Sequence, residues 1–163
     1  MAKRKPKTTT EFFECECTTW EELNALVADL PDAACVQPCA AGDWSPKDVL
    51  AHLAALMKET RRVMPLLLRG ERVSARIQEF NRAQHERDCN LPLDTVRRRV
   101  ERERKSLLIF LKKMSEEELL RDRRIYTWAS YATYNHYAEH VEGLKRFCRL
   151  HLPFIHRRIL FRQ

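Results

Sequence analysis

Apolar residues recur every three or four positions through most of this chain, which is the spacing of residues on one face of an α-helix. Four stretches have a sustained apolar seam of this kind. They run from Leu23 to Leu30, from Val49 to Leu67, from Val96 to Met114 and from Thr133 to Cys148. The pattern therefore predicts four main helices.

Capping signals indicate where the first two of these helices begin and end. Thr19 is followed three residues later by Glu22, so the first helix is predicted to begin at Thr19 and to stop at Pro31. Ser45 precedes a proline at the first helical position and an aspartate at the third, which is the strongest helix start in the sequence. The second helix is expected to end near Gly70.

A shorter, heavily charged amphipathic segment, residues 72–88, follows the second helix. The chain has neither an internal repeat nor the alternating pattern of a strand, and three glycines in 163 residues argue against a turn-rich β architecture. The sequence therefore predicts an all-α fold. Its form would be an antiparallel four-helix bundle with an additional short helical segment between helices two and three.

Positive charge is concentrated at the two ends of the chain. The net charge is +7, but residues 1–10 carry four basic residues and residues 145–163 carry six, with no acid in either segment. Residues 11–144 therefore have a net charge of −3, so the pI of 9.3 does not indicate a basic binding face on the body. Neither end has a motif that reads bases, so solvated ends are expected and nucleic acid is an unlikely partner.

These features divide the chain into three segments. Residues 1–10 are predicted to be a disordered basic tail, and residues 11–150 the helical bundle. Residues 151–163 mix basic with large apolar residues, so they are expected to pack on the bundle or on a second subunit, as in a homodimer. No apolar run approaches the roughly 20 residues that cross a bilayer, and no secretory signal is recognisable. The six cysteines are interpreted as reduced thiols, which are typical of the cytosol. A cytoplasmic protein without membrane contact is therefore expected.

Three histidines carry the candidate chemistry. His136 and His140 are four residues apart on the fourth helix, so their rings lie on one helix face about one turn apart. Two imidazoles at that spacing can bind one divalent metal ion. His52, on the second helix, is the best candidate for a third ligand. The alternative is that the three histidines are unrelated packing residues.

Two motifs in this chain resemble those of the DinB/YfiT-like family of four-helix bundles, including its ClbS/DfsB-type branch. They are Trp44-Ser45 leading through Val49-Leu50-Ala51-His52-Leu53, and His136-Tyr137-Ala138-Glu139-His140. The resemblance implies an antiparallel bundle with a three-histidine site for zinc or nickel, whose ligands here would be His52, His136 and His140. Family members with known activity include thiol-dependent transferases and isomerases and some hydrolases. A low-molecular-weight thiol is therefore a further candidate cofactor.

Two acidic residues are candidates for a catalytic group near such a site. Glu59 lies seven residues after His52 and projects from the same helix face, and Glu103 is a charged residue at an apolar seam position. The alternative is that both carboxylates reach solvent on flexible stems.

The resulting hypothesis is a divalent-metal-dependent hydrolase or thiol-dependent transferase that acts on a small molecule. The alternative is a non-enzymatic bundle that sequesters a small molecule, protects against one, or binds a partner through its basic ends.

Overall fold

The chain folds into helices joined by short connections, in a computed structural model that describes residues 5–74 and 76–151. The helices are α1 Thr9–Ala28, α2 Asp32–Cys35, α3 Pro46–Leu68, α4 Ile77–Asp88, α5 Leu93–Leu111, α6 Arg123–Tyr131 and α7 Tyr134–His151, with a π-helical turn over Glu117–Arg121. Extended pairing within this part of the chain is limited to one isolated bridge between Ala41 and Trp44. The predicted all-α class is confirmed.

α1 begins about three turns earlier than the sequence predicts. Its N-cap is Thr8, whose hydroxyl accepts a hydrogen bond from the backbone N–H of Glu11. Thr19 lies inside the helix, and its hydroxyl donates to the carbonyl oxygen of Cys15. The longer helix buries Phe12 completely, which favours the earlier start. The prediction of a start at Thr19 is therefore wrong, and the predicted disordered tail overlaps the first turn of α1.

α3 begins as predicted, with Ser45 as its N-cap, and Ser45 and Asp48 form a capping box. The Ser45 hydroxyl accepts from the backbone N–H of Asp48, the Asp48 carboxylate accepts from the backbone N–H of Ser45, and Pro46 occupies the first helical position. Gly70 has a positive φ of 82° just beyond the helix, a backbone conformation that closes helices and favours glycine. Both predicted ends of this helix are confirmed.

α5 packs along α3 through a stripe that differs slightly from the predicted seam. Phe110 is only half-buried and Met114 lies beyond the end of the helix. The buried positions of α5 are Val96, Val100, Glu103, Leu107 and Leu111.

The directions of the long helices follow from their side-chain contacts. Two hydrogen bonds between α1 and α7 join residues whose sequence separations are 121 and 122 positions. Hydrogen bonds that link α3 with α5, and with the turn before α5, join residues that are 42 positions apart in the sequence. A constant separation means that the helices of each pair run parallel. α1 and α5 are antiparallel, because Glu16 bonds to Arg104 whereas the earlier Phe13 meets the later Lys112.

The parallel arrangement of α3 and α5 explains the additional helix between them. A chain leaving the end of α3 must return along its 23 residues, a distance of about 35 Å, before α5 can begin. Residues 69–92 make this crossover, and α4 lies within it. The predicted short helical segment is confirmed, although α4 begins at Ile77 rather than near residue 72.

The last part of the described chain contains one helix that the sequence did not predict and one that it did. α6 was missed because its nine residues combine charged and aromatic side chains and are too few to show a sustained apolar seam. The predicted stripe of α7, Tyr137, Val141, Leu144 and Cys148, is buried. The predicted packing of residues 152–163 lies outside the described residues. Over the ranges 5–74 and 76–151, no helix is long and apolar enough to cross a membrane.

Candidate metal centre

The three predicted ligands lie on α3 and α7, where these helices approach each other. His52 is in the second turn of α3, and His136 and His140 occupy successive turns of α7. Just before α3, the carbonyl oxygen of Ala40 would lie 2.3 Å from a Cβ placed on Gly143 of α7. Only glycine allows this approach. Ala40, before α3, lies against Gly143, whereas His52, further along the chain, lies against the earlier residue His136 of α7. The two helices are therefore antiparallel.

The Nε2 atoms of the three histidines converge on one point. His136 Nε2 lies 3.2 Å from His52 Nε2 and 3.1 Å from His140 Nε2, and the ligand atoms all lie within 4.8 Å of one another. Two nitrogens each about 2.1 Å from a metal ion are about 3.4 Å apart in tetrahedral geometry and about 3.0 Å apart at a right angle. The two separations that involve His136 fit imidazoles arranged around one divalent ion, and the remaining pair, His52 and His140, lies within 4.8 Å.

Burial lowers the pKa of each ring in this triad. The pKa of His52 falls to about 4, mainly through burial and secondly through the charge of His140. Burial lowers the pKa of His140 to about 4 as well. The pKa of His136 falls to about 2, because its burial is reinforced by the charges of both neighbours. All three imidazoles are therefore neutral at pH 7, which is the form that binds a metal ion.

Gln84 of α4 connects this triad to a buried carboxylate. Its Nε2 donates to Asp88 at 3.2 Å, and Asp88 is held by ion pairs with Arg87 and Arg99. The Gln84 side chain also interacts with His52 and partly offsets the fall of that pKa.

Two atoms at this contact are otherwise unsatisfied. Within the described residues, neither Oε1 of Gln84 nor Nδ1 of His52 makes a hydrogen bond of normal geometry. Oε1 is thus available to accept from Nδ1, which would leave Nε2 of His52 for a metal ion. Gln84 was not predicted from the sequence; the signal that could have identified it is its position one helical turn before Asp88.

Aromatic rings flank the histidines. Tyr131 stacks on His136, with ring centroids 4.6 Å apart and planes at 10°. Trp44 lies against His52 at 5.0 Å between centroids and also stacks on His85. Such rings restrict the rotation of the imidazoles and replace water beside them.

A cavity of about 240 Å³ opens beside the triad. His52 and Tyr131 line it, so its wall includes one triad member and a ring stacked on another. Glu59, a predicted catalytic residue, lines it as well, about 10 Å along α3 from His52. The carboxylate of Glu59 is paired with Arg62, and the hydrogen bond from Arg62 lowers the pKa of Glu59.

Glu103, the other predicted catalytic residue, is not among the residues that line this cavity. Its carboxylate is buried and bonded to both Arg61 and Arg102. Burial raises the pKa of Glu103, but the hydrogen bonds from these arginines lower it overall. Arg61 lies about 13 Å beyond His52 along α3. The expectation that Glu103 reaches solvent is therefore wrong, because α3 and α5 enclose it as a paired carboxylate.

A further buried carboxylate, Glu16 of α1, was missed by the sequence analysis. Arg104 donates two hydrogen bonds of 2.7 Å to it, and the Tyr137 hydroxyl donates a third at 3.4 Å. Arg104 also lies over the ring of Trp20. These side chains link α1, α5 and α7. They also fix the position of Tyr137, the residue that follows His136 on α7.

Comparison with known proteins decides the family. The model of the DinB superfamily matches residues 18–143. The chain belongs to the DinB superfamily. His52, His136 and His140 all lie within the matched range, and the resemblance inferred from the sequence motifs is confirmed. No curated protein matches the sequence.

Solved structures share this DinB-superfamily fold at low sequence identity. An uncharacterised protein from Escherichia coli UTI89 is 12% identical with a TM-score of 0.75, over 90% of this chain and 95% of that one. The colibactin self-resistance protein ClbS, in complex with a dsDNA, is 13% identical with a TM-score of 0.73, over 88% and 97%. DfsB, a sibling lethal factor precursor, is 12% identical with a TM-score of 0.77, over 90% and 98%. At these identities the likeness establishes the fold alone.

Proposed function

We propose that this protein is a divalent-metal-dependent enzyme that acts on a small molecule, with His52, His136 and His140 as the metal ligands. The observation that carries the proposal is the convergence of three neutral Nε2 atoms, two pairs of which lie 3.1 and 3.2 Å apart. Three histidines leave coordination positions open for water or substrate, which is the usual arrangement of catalytic zinc sites. A neutral imidazole set suits zinc and nickel among divalent ions.

The reaction class we propose is hydrolysis or thiol-dependent transfer. A bound metal ion would supply charge that polarises a substrate oxygen and lowers the pKa of a bound water or thiol towards 7. The protein's own groups would orient the ligands and the substrate. Gln84 would hold the His52 ring, and Tyr131 would fix the plane of His136. Glu59 is the predicted catalytic residue that we retain, as a weak general base, since it lines the cavity beside the triad and its pairing with Arg62 keeps it ionised.

Metal analysis of the purified protein tests the proposal. The protein, prepared without an affinity tag or chelator, is expected to bind about one metal ion per chain after reconstitution with zinc or nickel. The double variant His136→Ala/His140→Ala is expected to lose it. The control is His85→Ala, a histidine that stacks on Trp44 close to the triad but is not one of its members, and this variant should retain the metal.

Two results would contradict the proposal. One is no metal in the wild-type protein even after reconstitution. The other is full occupancy in the double variant.

The second candidate is a protein that protects against a small molecule without turning it over. It is favoured by the structural likeness to ClbS, which is a self-resistance protein. The two candidates differ in turnover, because a sequestering protein binds one equivalent of its ligand and releases it unchanged.

The dsDNA bound to ClbS also bears on the expectation that nucleic acid is an unlikely partner. Binding to duplex DNA at several salt concentrations tests that expectation, since phosphate contacts weaken steeply as salt rises.

A further inference from the structure

We propose that the cavity beside the triad binds the ring-bearing part of an uncharged small molecule, whose polar end reaches the metal held by His52, His136 and His140. This inference rests on the proposed function and specifies its substrate class. Four properties of the cavity support it: the composition of its wall, the pairing of its charges, an unsatisfied amide and its volume.

The wall of the cavity is largely apolar and partly aromatic. Leu56 of α3, Ile77 and Phe80 of α4, and Trp128 of α6 line it. Ile77 is 46% exposed, so apolar surface is available at the cavity without a partner from the bundle. Aromatic side chains contribute large contact areas and interact with rings through stacked or edge-on arrangements. A ligand with a flat, apolar body suits these residues.

The charged groups around the cavity already have partners. Glu59 is paired with Arg62 at 2.6 Å, and Arg76 with Glu79 at 3.4 Å. A charged ligand beside Glu59 would have to compete with its pair or be desolvated without compensation, whereas Arg76 and Glu79 are mostly exposed and form only a weak surface pair. An uncharged ligand leaves both pairs intact, so the cavity favours a neutral molecule.

Besides Nδ1 of His52, a second buried polar atom of the wall lacks a partner among the described residues. Asn81 lines the cavity, and its Oδ1 is buried without a hydrogen-bond partner among the described residues. Buried amide groups are normally satisfied, so a ligand N–H or O–H group is expected at this position. The amide can also turn to present its NH₂ group, and in either orientation the ligand atom facing Asn81 is polar.

The volume limits the size of the ligand. A cavity of roughly 150 Å³ holds one benzene molecule. The cavity beside the triad measures about 240 Å³. It therefore has room for one ring or two fused rings, with a short polar substituent that extends towards the histidines.

The test compares two metal-binding probes that differ only in their apolar part. Acetohydroxamate carries the chelating group on a methyl group, and 2-naphthohydroxamate carries it on two fused rings. Each is titrated into the cobalt-substituted protein, and the visible spectrum of cobalt reports the binding. Metal retention is measured after gel filtration.

Burial of the rings is expected to make the naphthyl probe bind about 10- to 100-fold more tightly than the acetyl probe. A naphthohydroxamate with a sulfonate on its distal ring is expected to lose most of this advantage, because the cation among the described lining residues, Arg76, is mostly exposed and is paired with Glu79.

A matched pair of variants on α4 locates the bound ring. Phe80→Ala removes an aromatic wall residue and is expected to reduce the naphthyl advantage about 3- to 10-fold. Gln78→Ala changes an exposed residue of the same helix that does not line the cavity, and it should leave the ratio unchanged. Neither variant should alter the affinity for acetohydroxamate.

The outcomes separate this inference from the proposed function. Equal affinities for the two probes, with a normal response of the cobalt spectrum, would overturn the inference and leave the metal site standing. A naphthyl advantage that survives Phe80→Ala in full would also overturn it. If the protein holds cobalt but neither probe changes its spectrum, the site has no open position, and the proposed function fails together with the inference.

Discussion

The three histidines of the triad, two buried and one partly buried, should make the metal-free protein strongly sensitive to acid. An unfolded chain protonates its histidines with a pKa near 6.5, whereas the folded protein holds those of His52 and His140 at about 4 and that of His136 at about 2. Between these values the unfolded state binds protons that the folded state does not. The stability contributed by the neutral rings is therefore fully present above the unfolded pKa and is lost as the pH falls below about 6.5.

The size of this loss is large compared with the stability of a domain. One pKa unit corresponds to 1.36 kcal/mol, so each histidine lowers the free energy of unfolding by about 2 kcal/mol between pH 7 and pH 5. His136 contributes no more than the other two in this interval, because all three rings remain neutral in the folded protein at pH 5. Together they remove about 6 kcal/mol, and domains have a total of about 5–15 kcal/mol. The metal-free protein is thus expected to approach unfolding near pH 5.

Urea unfolding of the chelator-treated protein at pH 7, 6 and 5, followed by circular dichroism, measures this effect. The variant His140→Gln removes one of the three groups, so its loss of stability between pH 7 and pH 5 should be about 2 kcal/mol smaller than that of the wild type. Parallel pH profiles for the two proteins would refute the reasoning, because they would mean that folding does not suppress protonation of His140. Zinc added at pH 7 should stabilise the wild type by an amount that grows with the logarithm of the ratio of the zinc concentration to its Kd.

Two further substitutions test particular contacts. Gln84→Ala removes the acceptor next to Nδ1 of His52 and should weaken metal binding about 10- to 100-fold in a competition assay with a chromophoric chelator, whereas Gln78→Ala should not; equal affinities would assign Gln84 to packing alone. Gly143→Ala would stabilise an unconstrained helix by about 1 kcal/mol, but its Cβ would collide with the Ala40 carbonyl oxygen and should instead lower the free energy of unfolding by about 1–3 kcal/mol. A gain of stability in urea unfolding would show that α7 does not need this close approach.

Features that depend on local physics could be predicted from the sequence. The start of α3 is determined within four residues, because Ser45 and Asp48 satisfy each other's backbone groups without help from the rest of the protein. The juxtaposition of His136 and His140 also follows from helix geometry alone. His52 reaches these two histidines only because two helices distant in the sequence pack together. The sequence offered His52 as a candidate, and the fold places its Nε2 at hydrogen-bond distance from Nε2 of His136.

Features that depend on tertiary contacts could not be predicted in this way. Thr8 and Thr19 are each followed three residues later by a glutamate, so two capping signals compete. Burial of Phe12 against Tyr134 favours Thr8, and that contact spans most of the chain. Buried Glu16 likewise could not be distinguished from a surface carboxylate, because Arg104, its partner, comes from another helix. Paired buried charges are identified by their partners rather than by their sequence neighbours.

The crossover between α3 and α5 has a consequence for the dynamics of the site. α4 buries only Gln84 and Asp88 among its residues, and both are polar, so it is anchored far less firmly than the long helices. The same helix supplies Ile77 and Phe80 to the cavity wall and Gln84 to the His52 ring. Local detachment of α4 would therefore open the cavity and release one support of the metal ligands in a single event. Exchange of a bound molecule and exchange of the metal would then share one kinetic barrier. That barrier could be crossed while the rest of the bundle stays folded.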